Sequence, residues 1–531
     1  MRPFGLFAVL LACLLSLASG SRAADGPSSE RWELARRHRD DHRFSTLFTA
    51  HDVRRHLATD AGLATAVAWC RDTAVTKVYV ETFRDGYQAE REALAKARDR
   101  FRSEGFEVSG CVTPTNLGKK SNRWNIIACY TDQPTQDRLE SVFEFTAGLF
   151  DEVMIDDFWF TDCSCGDCDR ERLARRVTVG ERATVVPGDT WEEYRRELML
   201  RLSAERVIEP SRKVNPRCRL IIKYPQWYDV FHERGYDVVG ETRLFDRTWV
   251  GTETRDYGDA QWGGTVQYEA YFIMRWLGGL GGEKCGGGWY DWLGTTEATY
   301  VEQARQTILA GARESLLFCY GGLQGSTGPK NVAALRTQLP ELFRTAAEVR
   351  RRTAVGIAAY KPPHSPAGAE KRVFDFVGML GLPLVPTHEF PTNAPAAFFS
   401  VHALADGGFA AKFGAYVDGG RPVLITDGLA AALPENAWKG RRNVHVLAVK
   451  GNPKAMLGWT PEALAEVRGP MLAPWGLALR GPNRVALCLF SDGSQVLQNF
   501  NDTDVEVAVG ERRETIPARG WVQRWTGDRG G

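Results

Sequence analysis

Between about Arg43 and Arg352, short apolar runs alternate with amphipathic stretches of helical period. Eight runs read as strands: residues 44–51, 77–82, 106–113, 152–158, 219–224, 248–252, 287–292 and 315–320. Several are apolar at successive positions, the pattern of parallel strands covered on both faces. Between them, residues 136–149 place Leu139, Val142, Phe143 and Phe145 on one side of a helix that follows Pro134. Thr190-Trp-Glu-Glu193 is a capping box opening a helix to about Val207, and residues 297–312 and 333–352 supply two more helices. Eight strand–helix units predict an α/β fold, a (β/α)8 TIM barrel, with a doubly wound open sheet as the alternative.

The texture changes after Arg352. Runs at 355–360, 384–386 and 422–426, separated by helical or Gly/Ala-rich stretches, predict a small α/β layer ending near 444–449. Alternating runs at 484–490, 495–498, 505–509 and 521–525, divided by Asp-Gly, Asn-Asp and Gly-Glu turns, predict a C-terminal β-sandwich. The expected division is a barrel over 24–352, an α/β domain over 353–450 and a β-domain over 451–531, in keeping with roughly 100–200 residues per domain. Ahead of these, Arg2 and the apolar run 4–18, followed by small residues at 18–20 or 21–23, predict a signal peptide over 1–23. The mature protein is then expected to be exported, periplasmic or secreted, without a membrane anchor.

Composition narrows the chemistry. With 44% hydrophobic and 25% charged residues, the 531-residue chain can build ordinary cores. Sixty-seven Lys and Arg against 66 Asp and Glu leave a net charge of +1, which removes the electrostatic case for a nucleic-acid partner. Aromatic residues reach 11%, enough for large cores and for platforms that suit sugar rings.

Barrel chemistry sits at the C-terminal ends of the strands. The segment DEVMIDDFWFTDCSCGDC ends an apolar strand in Asp156 and Asp157, followed by Trp159 and three cysteines. Strand alternation predicts that one Asp faces the barrel mouth and the other the helix layer or a loop. TWVGTETRD brings Glu253 and Arg255 to another strand end, and KCGGGWYDWLGTT brings Trp289 and Asp291 to a third. Each has a plainer explanation: loop-capping Asp residues, a rim ion pair, a tight turn with core aromatics. Two carboxylates among aromatics suit glycoside hydrolysis, which needs a proton donor and a nucleophile or base. No G-x-S-x-G elbow, H-E-x-x-H, Walker loop or dinucleotide fingerprint competes. Cys163, Cys165 and Cys168, in C-x-C-x-x-C spacing, read as a thiolate metal site closed by a fourth ligand elsewhere, with disulfides as the alternative.

The domain order and the cysteines together resemble the zinc-containing bacterial β-galactosidases of glycoside hydrolase family 42. That resemblance implies Cys129, in ACYTDQP before a helix, as the fourth ligand of a structural zinc with Cys163, Cys165 and Cys168. It also implies a glutaminase-like middle domain and a trimer. Where that family carries Asn-Glu after the fourth strand this chain has Asp156-Asp157, and where the family nucleophile stands only Asp291 is available. Asp157 is similar instead to the nucleophile of retaining α-galactosidase and α-fucosidase families, which implies Glu253 as acid/base. The expected enzyme is an exported, retaining glycoside hydrolase acting on a carbohydrate. Asp157 and Glu253 are its working pair, and Asp156 or Asp291 is the reserve. Trp159, Trp249, Arg255, Trp289, Glu81 and Tyr224 are expected around the substrate. A catalytically silent carbohydrate-binding protein on the same scaffold is the alternative.

Overall fold

The computed structural model describes residues 27–255 and 266–527. The expected signal peptide over 1–23 and Asp256 of the TWVGTETRD stretch lie outside the described residues. Eight parallel strands form the first sheet: β1 (Arg43–Phe48), β2 (Val75–Arg84), β3 (Glu107–Val112), β4 (Glu152–Ile155), β5 (Arg219–Tyr224), β6 (Arg247–Gly251), β7 (Cys285–Asp291) and β8 (Glu314–Phe318). Each pairs with its sequence neighbours, and β1 pairs with both β8 and β2, so the sheet closes. The (β/α)8 barrel is therefore present, and the open-sheet alternative is excluded.

Strand alternation fills the barrel. Leu47, Tyr79, Cys111, Met154, Ile221, Trp249, Trp289 and Leu316, one from each strand, form a buried apolar layer across the interior. Below it, towards the N-terminal end, Lys77 Nζ lies 2.6 Å from Glu152 Oε1 and 3.8 Å from Glu314 Oε2. These charged side chains separate the apolar layer from a small polar cavity at the N-terminal ends of the strands, and a larger cavity, lined by aromatic and charged side chains, opens at the C-terminal ends.

His42, just ahead of β1, is fully buried, with Nδ1 2.9 Å from Ala312 O and Nε2 3.1 Å from Ser315 Oγ. Burial lowers its pKa to about 4, because the charged ring has no water there. A lowered histidine contributes stability above its unfolded pKa of about 6.5, and that contribution drains away as pH falls towards 4. The wild-type barrel is expected to lose about 3 kcal/mol over that window from this group alone. Urea denaturation at a series of pH values should show a flatter profile for His42→Gln.

Beyond the helix Gly328–Arg350 the chain builds a five-stranded parallel sheet in the order Leu384–Thr387, Ile357–Tyr360, Ala397–Phe399, Val423–Thr426, Val444–Leu447. Ala397–Phe399 has three residues, too few for a periodic signal, and the sequence reading passed over it. Two antiparallel sheets follow and share a core that includes Leu479, Val485, Leu487, Leu497, Val507 and Ile516. The expected single run 355–360 is split. Ala354 and Val355 pair with Phe490 and Leu489 of the C-terminal sheet, whereas Ile357 opens the parallel one. Gly356 makes that change of sheet at φ +154°, where an added Cβ would lie 2.0 Å from Pro383 O. No helix among the described residues is long and apolar enough to cross a membrane.

Candidate active site

Residues two positions beyond the apolar layer project above it, at the C-terminal mouth. Asp156 follows Met154, Lys223 follows Ile221 and Asp291 follows Trp289. Glu253 follows Trp249 by four positions, with Gly251 between. An added Cβ at Gly251 would lie 2.8 Å from Glu253 Oε2, so the glycine admits the folded-back carboxylate. These groups line a cavity of about 560 Å³ whose walls include Trp124, Phe158, Trp227, Trp289 and Phe318.

Asp157 departs from the expected alternation. β4 ends at Ile155, and the chain turns at once: Asp157 N–H donates to Asp156 Oδ1 at 2.7 Å and Trp159 N–H to Asp156 O at 3.1 Å. The turn swings Asp157 into the same cavity, while Tyr236 Oη donates to its carbonyl. Both adjacent carboxylates therefore line one site, rather than one facing the helices.

Lys223 organises the group. Its Nζ lies 2.6 Å from Asp157 Oδ2, 2.7 Å from Glu253 Oε1 and 3.7 Å from Asp156 Oδ1. The ammonium also stands 4.3 Å above the Trp289 ring, which stacks on Phe318. Asp157 Oδ2 and Glu253 Oε1 can be separated by no more than the sum of their bonds to Nζ, about 5.3 Å. Asp156 has a second cation, with Arg84 Nη2 3.0 Å from Oδ2. Arg255 Nη2 lies 2.9 Å from Asp291 Oδ2 and 3.9 Å from Glu253 Oε2.

Burial opposes every charge here, and the partners decide the outcome. It would lower Lys223, but Asp157, Glu253 and Asp156 hold the ammonium above its ordinary pKa. It would raise Asp156, but Lys223 and Arg84 bring that carboxyl below its usual range. Burial raises Asp157 well above that range against the pull of Lys223, with Asp156 and Glu253 adding repulsion. Burial likewise lifts Asp291 to about 6 against Arg255, with Glu253 again adding repulsion.

All four carboxylates expected to react, together with Arg255 and Trp289, line the cavity. Four other residues expected around the substrate do not. Trp159 is buried in the helix layer, where Nε1 donates to Ser203 Oγ at 2.9 Å. Trp249 lies inside the barrel, edge-on to Tyr79, one layer below the cavity floor. Tyr224 is on the outward face of β5, packed against Phe231 and Tyr236. Glu81 is fully buried and acts on the site from behind: it accepts from Arg84 Nε at 2.9 Å and from Ala50 N–H at 2.7 Å. Thr113 Oγ1, 2.6 Å from Glu81 Oε1 and 2.9 Å from Asp156 Oδ2, joins it to the cavity wall.

Sequence reasoning gave no role to Lys223, Arg84, Gln226, Trp227 or Arg234, all of which line the cavity. Parity along β5 marks Lys223 as inward-facing two positions beyond Ile221. Gln226, Trp227 and Arg234 lie beyond the strand, where no periodicity marks a side chain's direction.

The three cysteines whose spacing suggested a metal site meet Cys129, the fourth ligand that the resemblance implied. Cys129, Cys163, Cys165 and Cys168 place their sulfurs within 4.8 Å of one another, and no described cysteine forms a disulfide. Cys129 Sγ lies 3.7 Å from Cys165 Sγ and 3.6 Å from Cys168 Sγ, and the last two are 3.7 Å apart. A tetrahedron with Zn–S bonds of about 2.3 Å has edges of about 3.8 Å, so this donor set fits a four-thiolate metal site.

Residues 29–354 match the family model described as "Probable glycosyl hydrolase, catalytic domain". The uncharacterized protein SSO3021 of Saccharolobus solfataricus is 26% identical over 334 residues, covering 59% of this chain and 55% of that protein. The chain thus matches about half the length of this curated relative. Among solved structures, α-L-fucosidase isoenzyme 2 from Paenibacillus thiaminolyticus superposes with a TM-score of 0.61 at 9% identity, covering 91% of this chain and 98% of that one. The GH42 β-galactosidase Gan42B superposes with a TM-score of 0.57 at 10% identity, covering 91% of this chain and 97% of the other. At these identities the likeness is one of fold.

Proposed function

The chain belongs to the family of probable glycosyl hydrolase catalytic domains, and from that membership we propose that it cleaves glycosidic bonds by a retaining mechanism with Asp157 and Glu253 as the reacting pair. The observation that carries this reading is the shared bond to Lys223, which limits the facing carboxyl oxygens to about 5.3 Å. Retaining enzymes hold their carboxyl groups about 5–5.5 Å apart and inverting ones about 6.5–9.5 Å, and carboxylates whose oxygens share one ammonium favour the shorter spacing.

In the proposed reaction Asp157 attacks the anomeric carbon as Glu253 protonates the departing oxygen. Glu253 then deprotonates the water that releases the sugar from Asp157. Lys223 balances the charge exchanged between the two carboxyls, and Trp289 offers a flat floor to the ring. Burial of Asp157, which raises its carboxyl, favours a second reading with the roles exchanged and the resting proton on Asp157. A 2-deoxy-2-fluoro glycoside of the sugar accepted in an aryl-glycoside panel should label Asp157 covalently, read by peptide mass spectrometry. A label on Glu253 would select the exchanged roles, and turnover with inversion of the anomeric centre would overturn the retaining proposal.

The four thiolates are proposed to hold one structural zinc. With four protein ligands it would keep no position for water, so it would stiffen the loop between β4 and the helix Gly166–Leu173. Elemental analysis should find about one zinc per chain. Cys165→Ser should lose the metal and lower the melting temperature by several degrees, while disulfide-linked cysteines would contradict the assignment. The domain order and the apolar run 4–18 support action on an extracytoplasmic carbohydrate. The assignment stops short of β-galactosidase, because Asp156-Asp157 stand where the similar family has Asn-Glu.

A further inference from the structure

Arg234 differs from the other cations of the catalytic cavity. Arg84, Lys223 and Arg255 are each bonded to carboxylates of its wall. Arg234, at the end of the short helix Phe231–Arg234, forms no ion pair among the described residues. Its Nη1 is buried without a hydrogen-bond partner. Rings hold the guanidinium in place, with Trp227 at 4.7 Å, Phe160 at 5.0 Å and Trp124 at 6.0 Å. Aromatic faces return part of what a half-buried guanidinium loses, but they leave the Nη1 donors unused.

The neighbouring wall is built to match. Gln226 is buried, and its Oε1 also lacks a partner. Gln226, Trp227 and Arg234 line both the catalytic cavity and an adjoining one of about 220 Å³, whose wall carries Lys371 together with Glu269, paired with Arg372, and Asp229, paired with His402. A planar fork of donors, an amide and two indole rings therefore lie along one path leading from the reacting carboxylates. A guanidinium fork pairs with a carboxylate or sulfate through two parallel hydrogen bonds, and indole faces cover sugar rings.

We propose that this stretch is a subsite for an anionic sugar: the saccharide cleaved here carries, next to the unit held at Asp157 and Glu253, the carboxylate of a uronic acid or a sulfate ester. This inference rests on the glycosidase reading and narrows its substrate class.

The test uses the full chain carrying Asp157→Asn, so that binding is read without turnover, on an array of neutral, uronate-containing and sulfated glycans. The bound glycans are expected to be anionic and to bind more weakly at high salt. Carboxyl reduction or desulfation of a bound glycan, which also tells the two anions apart, should weaken binding about ten- to a hundredfold. Arg234→Gln, added to Asp157→Asn, should bind the acidic glycan and its neutral counterpart alike, and Arg234→Lys should retain part of the difference. Equal binding of acidic and neutral forms by the Asp157→Asn protein, or binding of no glycan, would overturn the proposal without reference to Arg234 variants or their folding. A neutral glycan that is bound here and cleaved by the wild type would sink the anionic subsite and leave the glycosidase standing. An acidic glycan bound but never cleaved would do the reverse.

Discussion

Asp157→Asn is expected to lower turnover by about 10³–10⁴-fold on the sugar accepted by the wild type, with the melting temperature little changed. The amide keeps the shape of the carboxyl and can still accept from Lys223, so the fold loses little. It cannot attack the anomeric carbon, and the first step fails. Glu253→Gln separates the roles further. If Glu253 is the acid/base, its loss should be large for a poor leaving group and small for dinitrophenolate, which departs without a proton. Azide should then restore turnover by taking the place of the activated water. The double variant should be little worse than Asp157→Asn, because groups that act as one unit do not contribute additively. Turnover within a few-fold of wild type in both single variants would remove this pair, and Asp156 with Asp291 would be tested next.

Lys223→Met should damage stability and activity together. The ammonium is buried and lies between Asp157 and Glu253, with Asp156 close by. Removing one partner of a buried ion pair costs about 3–5 kcal/mol, since the charges left behind have neither water nor a counter-ion. At about 2.1 cal/mol/K of unfolding entropy per residue, each kcal/mol moves the melting temperature of a barrel this size by only roughly 1–2 °C. The sign of the pH dependence follows from the groups that remain. Without Lys223 the Asp157 carboxyl, already raised by burial, rises further above its unfolded value. The resulting loss is full at pH above that raised value and is relieved as pH falls through it and the carboxyl protonates. Thermal melts should therefore show a larger gap between wild type and variant at pH 8 than at pH 5. A gap independent of pH would mean that the carboxylates find other partners.

The local code of this chain is strong. Apolar runs at eight places, helices between them and the capping box at Thr190 favour a barrel over an open sheet. The box is present, with the Thr190 and Glu193 side chains each bonded to the other's backbone N–H. Strand alternation also required one of Asp156 and Asp157 to face the mouth, without saying which. Backbone geometry within a few residues enforces such patterns, so a few residues suffice to read them. The aromatics show where this stops. Trp159 and Trp289 have the same chemistry and both stand near a strand end, yet one packs against Tyr130 in the helix layer and the other forms the cavity floor.

Asp157 marks the boundary between the two kinds of information. Strand alternation allowed only one of Asp156 and Asp157 to face the mouth, and the tight turn after Ile155 brings both into the cavity. The meeting of Asp157, Lys223 and Glu253 joins residues 66 and 30 positions apart along the chain. No periodicity carries that distance. The sequence by itself determined a barrel with carboxylates at its mouth and a cluster of cysteines beside it. The tertiary structure alone decided which carboxylates share an ammonium, which tryptophan faces the cavity and which arginine is left without a counter-ion, because those contacts depend on how eight separate strands close around one axis.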